Sequence, residues 1–279
     1  MKGGDGPASY SHSSSFQVSL SSSISPDSSN LILISSPNYF SISDQAKAPL
    51  AKGIQQNIVL PTDLSSTLHQ IFRIADLGCS IGPNTFACVQ TIIEAVKAKY
   101  KAEGFRSKTL ELQVFFNDQD NSDFNTLLQT LLQDRSYLVA GVPGSFHGKL
   151  LPMASMNVMH SSYALHWLSK VPEEVKRPES LAWNKGKMTY FESAPEVIEA
   201  FNAQFHRDIE DFFKQRSMEM AEEGLLIILM PCRPDGSRPS ESLFIQGIEC
   251  TLGHLLVDMA KEVRRLCKSF PPIHLNIEV

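Results

Sequence analysis

Three apolar runs in this chain end abruptly in small or polar side chains. Ile71–Leu77, interrupted by Arg73, empties through Asp76 into Gly78-Cys-Ser-Ile-Gly82-Pro83-Asn84. Leu112–Phe116 runs into Asn117-Asp118, and Tyr137–Gly141 into Val142-Pro-Gly-Ser145-Phe146. Strands emptying into glycine turns predict a doubly wound α/β domain, with a ligand over the carboxyl ends of the strands. Glycines there let a ligand lie against the backbone. The spacing Gly78-x-x-x-Gly82 is not the fingerprint that cradles a dinucleotide pyrophosphate. Asp76 would repel an anion and welcome an ammonium or hydroxyl. A ligand with a positive amino-acid end and no phosphate, such as S-adenosyl-L-methionine, fits; a structural glycine turn capping a helix is the plainer alternative.

An acid ending the second strand of such a domain is where a nucleoside presents its ribose hydroxyls, and a carboxylate can accept from both. Asp118 takes that role, against the simpler one of a charge at the start of the helix near Asp120–Asp123. Further on, Tyr163, His166 and Trp167 make an aromatic wall with polar tips. His160 and His166 lack the spacing of a helical metal pair. No Ser–His–Asp constellation can be assigned.

Around these residues the elements fall into order. Phe86, Val89, Ile93 and Val96 recur at helical steps behind Pro83, a good first helical residue. Phe124–Leu132 reads as a short helix capped from Asp120–Asp123. Residues 195–223 read as the longest helix, with a core-facing stripe of Phe201, Phe205, Ile209 and Phe212, ended by Gly224 before a strand at Leu225–Met230. Residues 2–17 read as a flexible arm. Residues 18–44 are serine-dense and predict a poorly ordered segment with a transient strand around the apolar run Leu31–Ile34. Ala46–Leu60 is ambiguous, because Pro49 and Gly53 break a weakly helical composition.

An apolar content of 42% supports a sizeable core, and 279 residues allow one large domain or a domain with a modest cap. A net charge of −5 argues against a nucleic-acid partner. Five scattered cysteines without a C-x-x-C pair suit a reducing compartment and argue against a zinc site. No apolar run is long enough to span a membrane, and residues 1–5 lack the start of a signal peptide. A cytoplasmic protein is expected.

With these pieces assembled, the chain resembles the SABATH family of plant carboxyl methyltransferases, the salicylate, jasmonate, benzoate and caffeine-synthase type. The matching stretches are Gly3-Gly-Asp-Gly-Pro-Ala-Ser-Tyr10, Ile74-Ala-Asp-Leu-Gly-Cys-Ser-Ile-Gly-Pro-Asn84, Phe115-Phe-Asn-Asp118, Val142-Pro-Gly-Ser-Phe-His-Gly-Lys-Leu150 and His160-Ser-Ser-Tyr-Ala-Leu-His-Trp-Leu-Ser169. The likeness covers residues 2–17 and about 70 to 262. It implies a Rossmann-like class I methyltransferase sheet with a helical cap, incomplete at the C-terminus. Residues 1–17 become a lid arm, 18–64 an atypical serine-rich insertion and lead-in, and 65–279 the methyltransferase domain with a partial cap.

Residue by residue, the resemblance implies S-adenosylmethionine contacts at Tyr10, Ser14, Asp76, Cys79, Asn84, Asp118, Gln119, Ser145 and Phe146. Gln17 and Trp167 would hold the substrate carboxylate, while Tyr163 and His166 shape its pocket. Salicylate-specialised members tend to have Met where this chain has His166, which points to another acid. Some members bind Mg2+ through an Asn matched here by Asn184, but Pro271 replaces a second expected group. A homodimer is implied.

In the family the chain continues beyond the position matched by Val279, so a truncated isoform or imperfect gene model, weakly stable and poor in turnover, is expected. Two competing readings are a cofactor-binding or dimerising remnant and a nicotinamide oxidoreductase, the latter disfavoured by the absent pyrophosphate fingerprint.

Overall fold

The computed structural model describes residues 31–36, 47–60, 70–104, 110–131, 135–187, 190, 193–231, 254, 255, 257–259, 261 and 262. Six strands form one sheet: β1 (Leu31–Ser36), β2 (Gln70–Leu77), β3 (Leu110–Asp118), β4 (Leu138–Pro143), β5 (Met156–Ser162) and β6 (Met220–Pro231). Their spatial order is β1-β6-β5-β2-β3-β4 and every pairing is parallel. All carboxyl ends therefore lie along one edge. The chain runs outward from β2 through β3 to β4, then returns to place β5 on the other side of β2. The switch point where ligands bind in such sheets thus lies between β2 and β5.

Strand residues alternate between two cores, as a sheet covered on both faces requires. Phe72, Ile74, Leu112, Val114, Phe116, Val158, Leu225, Ile227 and Leu229 pack on one side. There they meet Leu50 and Ile54 of α1 (Lys47–Asn57) and Val89, Ile92, Ile93 and Val96 of α2 (Pro83–Ala102). Ala75, Leu77, Met159, Leu226 and Ile228 face the other side with Phe146, Leu151 and Phe212. The alternation breaks between Met156 and Val158, where the β5–β6 register shifts, so Met156 joins Met159 on the second face.

Several expectations are corrected. The serine-dense segment supplies β1, whose Leu31–Ser36 pairs in register with Leu226–Pro231, so β6 has a neighbour on each side. The rest of residues 18–44 lies outside the described residues. The ambiguous stretch is helical over Lys47–Asn57. Pro49 is tolerated because first-turn N–H groups have no intrahelical acceptor, and Asn57 Nδ2 donates to Gly53 O at 2.8 Å. Helix α3 spans Phe124–Gln129, with Asp123 accepting from Thr126 N, and β4 reaches Pro143. The sequence carried no signal for β5, although it lies between β2 and β6.

Helix α4 spans Pro195–Glu219 and stops before Gly224, which instead sits inside β6. A Cβ on Gly224 would lie 2.9 Å from Ala221 O and 3.0 Å from Met156 O, so the strand's irregularity there requires glycine. Two compact units partition the chain: 1–169 with 207–232, and 170–206 with 233–279. The second has its own small core of Val175, Ala182 and Val197, with Tyr190, Ala200 and Phe201 packed against it. Among the described residues no helix is long and apolar enough to cross a membrane.

Candidate active site

The carboxyl ends of β2, β3 and β4 are stitched together by backbone and amide groups. Gly78 N and Cys79 N both donate to Asn117 O at 2.9 Å, and Gly144 N donates to Asp118 O at 2.9 Å. Asn117 is buried, and its Nδ2 donates to Val142 O and Gly144 O, each at 2.8 Å. One side chain thereby fixes the exit from the next strand. Ser80 N donates to Asp118 Oδ2 at 2.6 Å, joining the glycine turn to the acid that ends β3. The other oxygen, Oδ1, accepts from Gln119 N at 2.7 Å. Asp118 is half-buried, and each of its oxygens keeps lone pairs for further donors.

The turn after β2 has little conformational choice. Gly78 has φ +75°, and a Cβ there would come within 2.3 Å of Ala164 Cβ and 3.3 Å of Phe146 Cε1. Ser80 follows with φ 55°. Cys79 is buried, and its thiol is pushed well above the ordinary range by burial, then by the charges of Asp76 and Asp118. It is a neutral packing and polar group, not a nucleophile. Asn84 is half-buried in the first turn of α2; Gln119 and Ser145 are exposed, and Phe146 is buried against Phe212 at a ring separation of 6.2 Å.

Asp76 occupies a different setting from the open strand end expected. It is 3% exposed, and in register it faces His160 of β5. Its Oδ1 accepts from His160 Nδ1 at 2.6 Å, and its Oδ2 from the Thr85 hydroxyl of α2. Burial alone would lower the His160 pKa, but the Asp76 carboxylate and its hydrogen bond, with a smaller contribution from Cys88, carry it up to about 10. The imidazole is therefore cationic at neutral pH. Beside it Ser161 Oγ donates to Leu77 O at 3.0 Å.

After β5 the chain turns through Tyr163, whose φ of 51° is unusual for a bulky side chain. Tyr163 N donates to Leu229 O at 2.8 Å, anchoring that turn to β6. His166 and Trp167 follow, ring centroids 5.8 Å apart, and Trp167 is 64% exposed. His166 is also exposed, yet its imidazole is sufficiently desolvated to lower its pKa, so the neutral ring prevails.

Tyr10, Ser14 and Gln17 lie outside the described residues. Asn184 belongs to the second unit, where its Oδ1 accepts from Ser193 Oγ at 2.7 Å. Among the described residues no group of three His, Cys, Asp or Glu side chains could hold a metal ion. The described residues give the expected Mg2+ no support, and no chemistry is assigned to it.

Sequence reasoning missed His160, Thr85, Asn117, Arg216 and Glu219, all of them buried and all polar or charged. For the last two a signal existed: Arg216 lies four residues after Phe212, on the buried side of an amphipathic helix.

A parallel sheet with a glycine turn after its central strand, an acid ending the next, and a ligand edge at the switch point defines a nucleoside-cofactor α/β domain. Residues 36–264 match the family described as SAM dependent carboxyl methyltransferase. The chain belongs to that family. It is 41% identical over 236 residues to loganic acid O-methyltransferase of Catharanthus roseus, covering 85% of this chain and 57% of that protein. It is also 41% identical over 243 residues to farnesoic acid carboxyl-O-methyltransferase of Arabidopsis thaliana, covering 87% of this chain and 62% of that one. A solved structure titled loganic acid methyltransferase with SAH superposes with a TM-score of 0.71 at 40% identity, over 79% of this chain and 62% of that chain. The chain thus spans about three fifths of the length of these relatives.

Proposed function

We propose that this protein transfers a methyl group from S-adenosyl-L-methionine to the carboxylate of a small plant acid, giving a methyl ester. The observation that carries this reading is the Ser80–Asp118 link, which joins the glycine turn and the β3 acid into one cradle at the switch point. That cradle fits a nucleoside with an amino-acid tail. Asp118 presents lone pairs to adjacent ribose hydroxyls, beside the exposed Gln119. Cys79 and Asn84 flank the β2 turn, Ser145 and Phe146 close the β4 side, and Asp76 lies buried below, its charge balanced by His160. Tyr10 and Ser14 are assigned to the same cofactor by family resemblance.

The cofactor, when bound, supplies a sulfonium methyl group open to in-line attack by a carboxylate oxygen. The protein's own task is then orientation. A carboxylate is already ionised at neutral pH, so no general base is required. The Trp167 indole N–H and the Gln17 amide are assigned to hold the substrate carboxylate, with Tyr163 and neutral His166 shaping the pocket. Holding the acceptor close and aligned in a dry pocket supplies the rate.

Calorimetric binding of S-adenosylhomocysteine tests the cofactor half, with Asp118→Ala as the control. A panel of plant acids scored for methyl-ester product tests the acceptor half. Binding lost in the variant, together with an ester product, supports the reading. Binding without any ester would leave a cofactor-binding protein, and no binding by a folded sample would overturn the proposal.

A further inference from the structure

The most buried line along α4 is largely polar. Within its last four turns Asp208, Phe212, Arg216 and Glu219 are each 3% exposed or less, whereas Ile209 of the expected apolar stripe is only half-buried. A buried charge is retained only where neighbouring groups satisfy it, and here those groups belong to one loop. Arg216 Nη1 donates to Phe146 O at 2.7 Å, and Nη2 donates to Gly148 O at 2.7 Å. Glu219 Oε1 accepts from Leu150 N at 2.6 Å and Leu151 N at 3.0 Å. Arg216 Nη2 also lies 3.0 Å from Glu219 Oε2, an ionic contact without a directed hydrogen bond. His147 Nδ1 adds a 3.3 Å contact to Asp208 O, and the Arg216 guanidinium stands 5.4 Å from the Phe212 ring centroid, itself against Phe146.

The positive partner thus takes the loop's carbonyls and the negative partner takes its N–H groups. An apolar pair of the same volume could fill this space with no loss of packing, but it would leave four backbone groups unpaired. The fork of the guanidinium matters as well, because one side chain reaches two carbonyls in fixed geometry.

We infer that Arg216 and Glu219 are positioning residues that hold the 145–151 loop so that Ser145 and Phe146 meet the cofactor. The consequence for affinity rests on the cofactor reading above; the restraint on the loop does not. Arg216 reaches the cradle through the Phe146 carbonyl, and Glu219 holds the loop further along at Leu150 and Leu151.

Arg216→Lys and Glu219→Gln test it. Each keeps a polar group of similar size and removes part of the clamp, so one serves if the other fails to fold. Backbone amide exchange is followed over residues 144–152, with β2 and β3 as internal controls, alongside calorimetric binding of S-adenosylhomocysteine. Exchange in the loop should rise about tenfold or more while β2 and β3 are unchanged, and affinity should fall by a similar factor. Loop exchange unchanged in a folded variant would overturn the inference. So would loosened exchange with affinity within about twofold of the parent. If the parent protein binds no S-adenosylhomocysteine, the cofactor reading falls on its own, and loop exchange decides whether the pair positions the loop.

Discussion

His160 Nδ1 lies 2.6 Å from Asp76 Oδ1, and the two residues are register partners on adjacent parallel strands at the sheet's switch point. Groups facing this imidazole are the Asp76 carboxylate from β2 and the Cys88 thiol from α2. With its pKa raised to about 10, against an ordinary value near 6.5, the histidine binds its proton more tightly in the folded chain. Its contribution to stability is therefore fully present below about pH 6.5 and is lost as pH rises through about 10. Thermal unfolding followed from pH 6 to 10 should show a steeper fall in Tm for the parent than for His160→Asn. At neutral pH that variant should lose about 3–5 kcal/mol by stranding Asp76. Parallel pH profiles for the two proteins would refute the charged pair.

Gly78 and Gly104 both have positive φ, +75° and +81°, but only Gly78 faces a neighbour. Alanine at 104 meets nothing within 4 Å and should cost about 1–2 kcal/mol from backbone strain alone. Alanine at 78 adds a clash with Ala164 Cβ and should cost roughly 2–5 kcal/mol. Denaturant unfolding of the two variants measures the difference, and equal losses would show that the turn can relax.

Asp118 holds Ser80 N through one oxygen and faces the ligand edge. Asp118→Asn keeps one acceptor oxygen, so it should weaken S-adenosylhomocysteine binding less than Asp118→Ala, which should reduce it about tenfold or more. Calorimetry on the two variants reads this order directly. The reverse order would remove the residue from the ribose role.

Burial and two neighbouring carboxylates hold the Cys79 thiol protonated. Peptide mapping after native thiol labelling near pH 8 should therefore find Cys79 unmodified, with labelling appearing only in denaturant. Rapid native labelling would mean that the β2 turn opens.

The strand ends that make up the candidate site could be read from the chain because their signals are local. An apolar run emptying into Asp76-x-Gly78, Asn117-Asp118 or Gly144-Ser145 marks a strand end whatever lies beside it. What escaped the sequence depends on distant partners. Met156–Ser162 looks too polar for a central strand until His160 is paired with Asp76 and Ser161 with Leu77 O. Leu31–Ser36 sits in a serine-dense stretch and becomes a strand through its register with Leu226–Pro231. Along α4 the apolar periodicity hid a polar seam, because Arg216 and Glu219 are satisfied by a loop far away in sequence. Local pattern identified where the chain turns; it could not identify which buried charges the fold would neutralise.

The closeness of Gly78 to Ala164 bears on anyone who would alter the residues proposed above to shape the acceptor pocket. Residues 163–167 offer an obvious cassette for grafting from relatives with other substrates. Yet Ala164 lies where a Gly78 side chain would be, so the graft shares a wall with the cofactor turn. A cassette carrying anything larger than alanine at 164 would press on that turn. Swaps confined to 163, 166 and 167 leave that wall intact.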